Sequence, residues 1–330
     1  MKKRLLGGLA LALVLAGCGN SSGSDDKKSD GEKVYKIGVV QQMEHPALDS
    51  SRKGLEKYLE SKTDAKFEIT VKNAQGDNGT ADTIAKQFVS DGVDLIYSIG
   101  TNASQASVNA TTGKETPVVF NAVTDAVEAK LVASNEKPGA NVTGVSDAAP
   151  LEKQLEMIRE FLPDAKKIGM IYNIGEVNGK IQVEQVEKLA SKYNFTVEKK
   201  GISATTEVAT AAEQLAGDVD CIYNITDNMI VSATASITDK ANAKKIPVFA
   251  AEDGQMNAGL LASDSISYEK LGEQAGSIAY DILVNGKKPA DIPVETAKDT
   301  ALIINKNVAE QLGIKIPDSL AKRATFADEK

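Results

Sequence analysis

The chain has 330 residues, of which 42% are hydrophobic and 25% charged, and this composition is typical of a folded globular protein rather than a disordered one. Its 38 Lys and Arg residues against 46 Asp and Glu residues give a formal net charge of -8, which argues against a nucleic-acid partner. Trp is absent and aromatic residues make up 5%, so a binding surface built of stacked rings is disfavoured.

The N-terminal segment has the pattern of an export signal. Residues 1–4 carry three positive charges, and residues 5–16 form an apolar run that is too short to span ~30 Å of hydrocarbon as a helix. The run ends in Leu15-Ala16-Gly17-Cys18, which resembles the bacterial lipobox. The resemblance implies that residues 1–17 are a cleaved signal peptide and that Cys18 receives a diacylglycerol, with palmitate among its acyl chains.

Residues 18–33 are predicted to be a lipidated, flexible tether, because residues 19–33 contain no apolar side chain that could pack on a core. We therefore expect the protein at the extracellular face of the bacterial cytoplasmic membrane, anchored only through Cys18. The globular part is expected to begin at Val34, and its length suits two domains of ~100–200 residues each.

From Val34 onward, short runs rich in β-branched residues alternate with longer amphipathic runs, which is typical of parallel sheets covered by helices. Helices are predicted over Leu151–Phe161, where Pro150 precedes and Pro163 follows, and over Tyr268–Val284. The predicted strands are Lys36–Gln41, Phe67–Asn73, Asp94–Ser98, Pro117–Phe120, Lys167–Tyr172, Thr196–Lys200, Cys221–Asn224, Pro247–Ala250 and Ala258–Ala262.

The chain repeats its own pattern. Lys36-Ile37-Gly38-Val39-Val40 recurs as Lys167-Ile168-Gly169-Met170-Ile171, and Asp94-Leu95-Ile96-Tyr97 recurs as Asp220-Cys221-Ile222-Tyr223, in the same order. This predicts an α/β protein with two doubly wound parallel-sheet lobes. Because ligands bind outside the carboxyl ends of strands in open α/β sheets, we expect those ends to meet at an interlobe cleft.

Polar residues follow most of the predicted strands. Free N–H groups at the start of the helix after Gly100 would suit a carboxylate, and nearby acidic residues would suit an ammonium group, so the complementary ligand is a zwitterion. Thr101, Asn102, Asp227 and Asn228 could equally be helix N-caps. The candidate ligand-binding residues are Gln42, Glu44, His45, Thr101, Asn102, Ser104, Gln105, Asp125, Asp147, Tyr172, Asn173, Glu176, Asn178, Asp227, Asn228 and Asp253.

Enzyme chemistry has few candidates in this sequence. His45 is the only histidine, and neither a G-x-S-x-G motif nor a zinc-ligand set accompanies it. No phosphate-binding or dinucleotide-binding glycine motif is present either. We therefore predict no catalytic residue, no metal and no cofactor, although a secreted hydrolase that depends on carboxylates stays the least favoured alternative.

The lipobox, the repeated lobes and several short segments together resemble the ABC-type substrate-binding lipoproteins of the tryptophan/tyrosine importer family. The segments are His45-Pro46-Ala47-Leu48-Asp49, Asn141-Val142-Thr143-Gly144-Val145-Ser146-Asp147, Tyr172-Asn173 with Glu176 and Asn178, Thr226-Asp227-Asn228 and Glu252-Asp253-Gly254. The resemblance implies a type I periplasmic-binding-protein fold. It also implies capture of an amino acid, commonly aromatic, by a monomer that serves a separate permease with its ATPase.

Within that resemblance, Thr101, Asn102, Ser104 and Gln105 are assigned to the ligand's carboxylate, and Asp125, Asp227 and Asp253 to its ammonium group. The chain departs from the family at residues 173–178, where Pro and Ser are expected, and at Thr101-Asn102-Ala103, where Thr-Pro-Ala is usual.

Three crossings between the lobes are implied, near Gly144, at residues 264–267 and at residues 299–302. Lobe 1 would then comprise residues 34–144 and 266–300, and lobe 2 residues 145–265 and 301–330. The ligand would be enclosed by hinge closure. A ligand-gated surface sensor or adhesin that uses the same cleft is the alternative function.

Overall fold

The structure is a computed structural model that describes residues 33–327. The predicted signal peptide, Cys18 and nearly all of the tether lie outside the described residues, as do residues 328–330. Among residues 33–327, no helix has both the length and the apolar character needed to cross a membrane.

The described residues alternate strands and helices, as the sequence pattern predicts. The strands are β1 (Val34–Gln41), β2 (Lys66–Asn73), β3 (Leu95–Ile99), β4 (Val118–Val123), β5 (Val142–Ser146), β6 (Lys167–Asn173), β7 (Thr196–Ile202), β8 (Cys221–Asn224), β9 (Val248–Ala250), β10 (Ala262–Ser265), β11 (Glu295–Thr296), β12 (Ala301–Ile304) and β13 (Ala324–Phe326). The helices are α1 (Pro46–Glu60), α2 (Asn78–Ser90), α3 (Thr101–Ala110), α4 (Leu151–Phe161), α5 (Val177–Ala190), α6 (Val208–Leu215), α7 (Asn228–Ser232), α8 (Thr234–Ala243), α9 (Tyr268–Leu283), α10 (Lys306–Leu312) and α11 (Asp318–Ala321).

The strands form two sheets, each of which is the centre of one lobe. In lobe 1 the spatial order is β2-β1-β3-β4-β5-β11, with every pair parallel. In lobe 2 the order is β7-β6-β8-β9-β10-β12-β13, and β12 runs antiparallel to β10. The first five strands of the two sheets therefore share one order, which confirms the predicted fold of two doubly wound α/β lobes.

Apolar side chains cover both faces of each sheet. In lobe 1, Leu55 of α1 and Leu271 of α9 belong to the cluster on one face, and Phe88 of α2 to the cluster on the other. In lobe 2, Leu155 of α4 and Ile237 of α8 take the equivalent positions. Helices on both faces leave only the edges and strand ends of a sheet open, so the ligand site is expected at strand ends.

One helix in each lobe directly follows a strand of the other lobe. Helix α4 follows β5 of lobe 1 but packs in lobe 2, and α9 follows β10 of lobe 2 but packs on α1 of lobe 1. The chain returns to lobe 2 between β11 and β12. The chain therefore crosses between the lobes three times, and these three crossings form the hinge.

Several local predictions need correction. The last predicted strand, Ala258–Ala262, is displaced to Ala262–Ser265, because Met256–Ala258 forms a 3-10 turn and Gly259 has a φ of 88°. The first crossing follows Ser146 instead of falling near Gly144, which lies inside β5. A Cβ on Gly144 would overlap the carbonyl oxygen of Phe120, so a glycine permits the close approach of β4 and β5.

Candidate functional site

The carboxyl ends of the two sheets face each other, and side chains meet across the gap. Nε2 of His45, which precedes α1 in lobe 1, lies 3.2 Å from Oδ1 of Asn228 in lobe 2. Asn102, in the first turn of α3, donates its Nδ2–H to the carbonyl oxygen of Gly175 at 3.0 Å. These contacts hold the lobes together in a closed arrangement.

Between the lobes lies an enclosed cavity of about 10 Å³, which is room for about one water molecule. Lobe 1 and its crossings contribute His45, Ala47, Leu48, Ala122, Asp147 and Tyr268. Lobe 2 contributes Asn178, Thr226, Asn228, Val231 and Glu252. The wall therefore combines a small apolar surface with a set of buried polar groups.

A bulge at the end of β4 brings Ala122 to this wall. The pairing of β4 with β5 shifts register between Phe120 and Val123, and Ala122 has a φ of 55°, which is rare for a residue with a side chain. The Ala122 N–H donates to Oδ1 of Asn121 at 2.8 Å, which holds this conformation. A backbone conformation of this kind costs energy and is commonly kept at binding sites.

Two carboxyl groups face the cavity, Asp147 from the first crossing and Glu252 from lobe 2. Oδ2 of Asp147 accepts the Tyr268 hydroxyl at 2.8 Å, and Oε2 of Glu252 accepts the Gly254 N–H at 2.6 Å. Their other oxygens, Asp147 Oδ1 and Glu252 Oε1, are buried and have no hydrogen-bond partner among the described residues. Burial raises the pKa of Asp147 to about 6 and that of Glu252 to about 7.

The remaining polar groups of the wall are mostly acceptors. Asn228 donates its Nδ2–H to Glu176, so its Oδ1 faces His45 and requires a proton on Nε2 of that ring. Burial lowers the pKa of His45, which favours the neutral ring with a bare Nδ1. Asn178 likewise donates its Nδ2–H to Glu176 and to the Thr226 carbonyl, leaving Oδ1 without a partner.

No Lys or Arg lines this cavity in the part of the chain that the structure describes. The unpartnered atoms are Asp147 Oδ1, Glu252 Oε1, His45 Nδ1, Asn178 Oδ1 and Thr226 Oγ1, and when the two carboxyl groups are ionised only the hydroxyl of Thr226 can donate as well as accept. A buried acceptor without a donor costs about 1–3 kcal/mol. The cavity is therefore complementary to a positively charged group with several N–H donors.

Glu176, a predicted ligand residue, instead positions other site residues. Its Oε2 accepts the backbone N–H of Asn228 at 3.0 Å, and its Oε1 accepts the N–H of Met229 at 2.9 Å. It also accepts the Nδ2–H of Asn173 at 3.4 Å. Glu176 thereby fixes the start of α7 and the orientation of the Asn228 amide.

Asp227 does not reach the cavity, which corrects its assignment to an ammonium group. One carboxylate oxygen accepts the N–H of Ile230 at 3.2 Å, as an N-cap of α7 does, and the other accepts the N–H of Asn173 at 2.7 Å. Burial raises the pKa of Asp227 well above its ordinary value, and the nearby Glu176 raises it further. The capping alternative considered from the sequence therefore describes its geometry.

A second polar group, here termed the amide cluster, consists of Gln42, Asn78, Thr101 and Asn102. Both Gln42 and Asn102 donate a side-chain N–H to Oδ1 of Asn78, at 3.3 and 2.9 Å. Gln42 Oε1, Thr101 Oγ1 and Asn102 Oδ1 are buried without a partner among the described residues. The amide cluster covers the lobe 1 side of the cleft beside Gly175.

Four other predicted residues are directed elsewhere in lobe 1. Ser104 donates to the Gly100 carbonyl at 2.8 Å, and Gln105 donates to the Ala129 carbonyl at 3.0 Å. Asp125 accepts the N–H groups of Val127 and Glu128, which closes a turn after β4, and Glu44 is exposed. The structure brings none of them to the cavity.

In lobe 2, Tyr172 packs against the lobe's apolar core, and Asp253 is partly buried beside Glu252, whose pKa it raises. The cavity residues that the sequence did not single out are Glu252, Thr226 and Tyr268, together with the apolar Ala47, Leu48, Ala122 and Val231. Glu252 follows β9 within the segment Glu252-Asp253-Gly254, so the strand-end rule indicated the segment but not which carboxylate turns inward.

Within residues 33–327, no group of three or more His, Cys, Asp or Glu side chains is arranged to hold a metal ion. Cys221 is buried, which raises the pKa of its thiol far above the ordinary value.

Comparison with known proteins places these features in context. A family model described as ABC transporter substrate binding protein matches residues 36–327. A Clostridioides difficile protein named Tyrosine-binding protein is 44% identical over 318 residues, which cover 94% of this chain and 91% of the relative.

Two solved structures show different arrangements of similar lobes. A domain from Streptococcus pneumoniae in complex with L-Trp is 37% identical and has a TM-score of 0.85, over 89% of this chain and 99% of that one. A ligand-free, open substrate-binding protein with adhesive properties from Clostridium difficile is 42% identical over the same shares of the two chains, yet its TM-score is 0.69. This chain thus matches the L-Trp complex better in shape although it is nearer in sequence to the open protein.

Proposed function

The chain belongs to the family of ABC transporter substrate-binding proteins and is the substrate-binding component of such a transporter, and we propose that its substrate is a free amino acid with an aromatic side chain. The observation that carries this proposal is the cavity wall of unpartnered acceptors, to which Asp147 and Glu252 each contribute a carboxyl oxygen. An α-ammonium group supplies a positive charge and three N–H donors, which match those acceptors.

The ligand's carboxylate belongs, in this proposal, at the lobe 1 side of the cleft. Helix α3 begins after Gly100, which has no side chain to cap it, and the positive end of the helix dipole favours an anion there. The unpartnered hydroxyl of Thr101 lies in the same turn and offers one further donor.

The aromatic side chain is proposed from the relatives and from the lining. One relative is named for tyrosine, and another is solved with L-Trp, at 44% and 37% identity. Ala47, Leu48, Ala122 and Val231 supply apolar surface in the same cavity. Removal of apolar surface from water would add to the binding energy that the ammonium group provides.

The closed cavity is far too small for an amino acid, so the lobes must separate before a ligand enters. Opening would break the hydrogen bonds of Asn102 with Gly175 and of His45 with Asn228. A ligand that contacts both lobes would then favour reclosure by its differential affinity for the two arrangements. The better match in shape to the L-Trp complex than to the open relative supports a hinge motion of this kind.

Calorimetry of the full chain with the twenty amino acids tests the proposal. We expect heat of binding with aromatic amino acids and none with Asp or Glu, because the cavity is already acidic. Two derivatives of L-Trp sharpen the test: the carboxamide keeps the ammonium group, whereas the N-acetyl derivative removes its charge. Loss of binding with the N-acetyl derivative alone supports an ammonium site, and no binding by any amino acid contradicts the proposal.

The cellular setting is part of the same proposal. We propose that the chain acts as a monomer without catalysis, held through lipid on Cys18 at the extracellular face of the membrane, and passes its ligand to a permease with its ATPase. Metabolic labelling with palmitate tests the anchor, since Cys18→Ala should abolish labelling and release the protein. A label that persists in Cys18→Ala would contradict it.

Adhesion is a second candidate, because one relative at 42% identity is described as having adhesive properties. It predicts that a deletion strain binds host cells less well even when amino-acid uptake is bypassed. An unchanged attachment would leave transport as the sole function proposed.

A further inference from the structure

Within residues 33–327, no cation balances the acidic groups of the cavity, and the inference drawn from this rests on the proposed function. Asp147 is 4% exposed and Glu252 is 2% exposed, and each has one oxygen without a hydrogen-bond partner. A buried carboxylate that lacks a positive neighbour is strongly disfavoured relative to its neutral acid. The empty closed cleft therefore needs a proton on these groups, whereas a bound ammonium group needs them ionised.

The groups that face Asp147 are neutral or acidic. Tyr268, at the start of α9, donates its hydroxyl to Asp147, and the neutral hydroxyl of Thr124, which follows β4, acts to lower the pKa of this carboxyl group against the larger effect of burial. The neutral ring of His45 lies on the same cavity wall from the start of α1. None of these elements brings a Lys or Arg to the cavity.

Glu252 has surroundings of the same kind. Its only hydrogen-bond donor among the described residues is the N–H of Gly254, and the adjacent Asp253 adds negative charge. On the lobe 2 side, Glu176 and Asp227 lie behind Asn228, and both are acidic residues, so neither supplies a positive charge. Asp49, on α1, is the remaining acidic group whose charge reaches His45.

We propose that protons and the ligand's ammonium group compete for Asp147 and Glu252. Amino-acid binding then releases protons, and a lower pH releases the amino acid. The proton leaves each carboxyl oxygen for solvent, and an N–H of the ammonium group takes its place. No bond to the ligand is made or broken. The closed state is thus reached in two ways. Without ligand, the carboxyl groups of Asp147 and Glu252 are protonated, and with ligand they are ionised.

The affected pH range follows from the pKa values of the two groups, about 6 and about 7 in the closed protein without ligand. A neighbouring positive charge lowers the pKa of a carboxyl group, so the bound ligand holds both ionised at lower pH. Binding should therefore release protons at pH 6, and the affinity should fall roughly 800-fold between pH 7.5 and pH 5, because both groups compete with the ligand for protons.

The test is titration calorimetry of the full chain with L-tyrosine, and with L-tryptophan as second probe, at pH 6 in two buffers that differ in ionisation enthalpy. The difference between the observed heats gives the number of protons released. We expect a release at pH 6 that falls toward zero at pH 8, and a smaller release in Glu252→Gln and in Asp147→Asn. The matched control is Glu128→Gln, which changes an exposed carboxylate outside the cavity and should release as many protons as the unchanged chain.

Infrared difference spectroscopy of the unchanged chain gives a second readout that needs no variant. Addition of ligand at pH 6 should remove a protonated-carboxyl C=O band and produce a carboxylate band. The proposal is overturned if ligand binds at pH 6 without proton release, or if both cavity variants release as many protons as the unchanged chain. It is also overturned if no protonated-carboxyl band is lost. Absence of binding by both amino acids at every pH contradicts the proposed function instead.

Discussion

Tyr268 donates its hydroxyl hydrogen to Oδ2 of Asp147 at 2.8 Å, and the two residues belong to different crossings between the lobes. Asp147 directly follows β5 on the way out of lobe 1, and Tyr268 begins α9 on the way back. The hydrogen bond therefore ties two of the three hinge segments together beside the cavity. A ligand that binds Asp147 contacts the hinge itself as well as the lobes.

Replacement of Glu252 by Gln should weaken binding of an aromatic amino acid by about 1–3 kcal/mol, because an amide cannot neutralise the buried ammonium group. Calorimetry at pH 7.5 measures the change. Glu128→Gln is the matched control, and its dissociation constant should equal that of the unchanged chain. Equal affinities for Glu252→Gln and the control would exclude Glu252 from the site.

Loss of Asp227 should reduce stability more than loss of an ordinary helix cap. Asp227→Ala removes the cap of α7 together with the bond to the Asn173 N–H, so the free energy of unfolding should fall by about 2 kcal/mol. Asp77→Ala is the matched control, because Asp77 caps α2 through Thr80 at an exposed position. Urea denaturation compares them, and a smaller loss for Asp227→Ala would contradict its double role.

Asn102→Ala should shift the unliganded protein toward the open arrangement. The substitution removes the hydrogen bond to the Gly175 carbonyl across the cleft, which contributes about 1 kcal/mol to closure. Small-angle X-ray scattering should then give a larger radius of gyration without ligand. Asn141→Ala is the control, since Asn141 bonds only within lobe 1, to the carbonyls of Lys114 and Thr116.

Gly272→Ala should destabilise lobe 1 by about 1–3 kcal/mol, because α1 and α9 approach each other through glycines. A Cβ on Gly272 would overlap the backbone carbonyl oxygen of Ser51, which cannot turn aside as a side chain can. Gly79→Ala is the contrasting variant: its Cβ would lie 3.4 Å from the nearest atom, so α2 should gain helix stability. Thermal unfolding that lowered the melting temperature of both variants equally would refute this account.

The stability of the unliganded protein should depend on pH through Glu252. Its pKa is raised to about 7 in the folded chain, so the folded state holds the proton more tightly than the unfolded state does. The stabilisation is present at low pH and is lost as pH rises through 7. Scanning calorimetry should show that the melting temperature falls less from pH 5.5 to pH 8 in Glu252→Gln than in the unchanged chain, because the glutamine has no proton to lose. An identical drop in both proteins would contradict the raised pKa.

Much of the fold could be predicted from the sequence, because strand and helix periodicity is a local property. The recurrence of the Lys36 segment at Lys167 predicts the repeated lobes, and the α4 bounds Leu151–Phe161 are confirmed. The family and the α/β architecture are confirmed as well. Four strands are not predicted, namely β5, β11, β12 and β13; β11 and β13 have only two and three residues, too short to show a period.

The site was harder to predict than the fold. Strand ends indicate where a cleft lies, but the direction of a side chain in a loop depends on the loop's own hydrogen bonds. Asp227 and Asp125 are acidic residues at such ends, and both are turned toward backbone N–H groups instead of the cavity. Glu252, one residue before the predicted Asp253, faces inward. Backbone conformation at residues such as Ala122 decides these directions, and no residue pattern encodes it.

Strand β1 runs toward the cleft, so its first residue, Val34, lies at the opposite margin of the lobe 1 sheet. A force on the chain that precedes Val34 therefore acts on the side of lobe 1 that is opposite the cleft. The anchor proposed at Cys18 would therefore restrain lobe 1 and leave lobe 2 to move when the cleft opens.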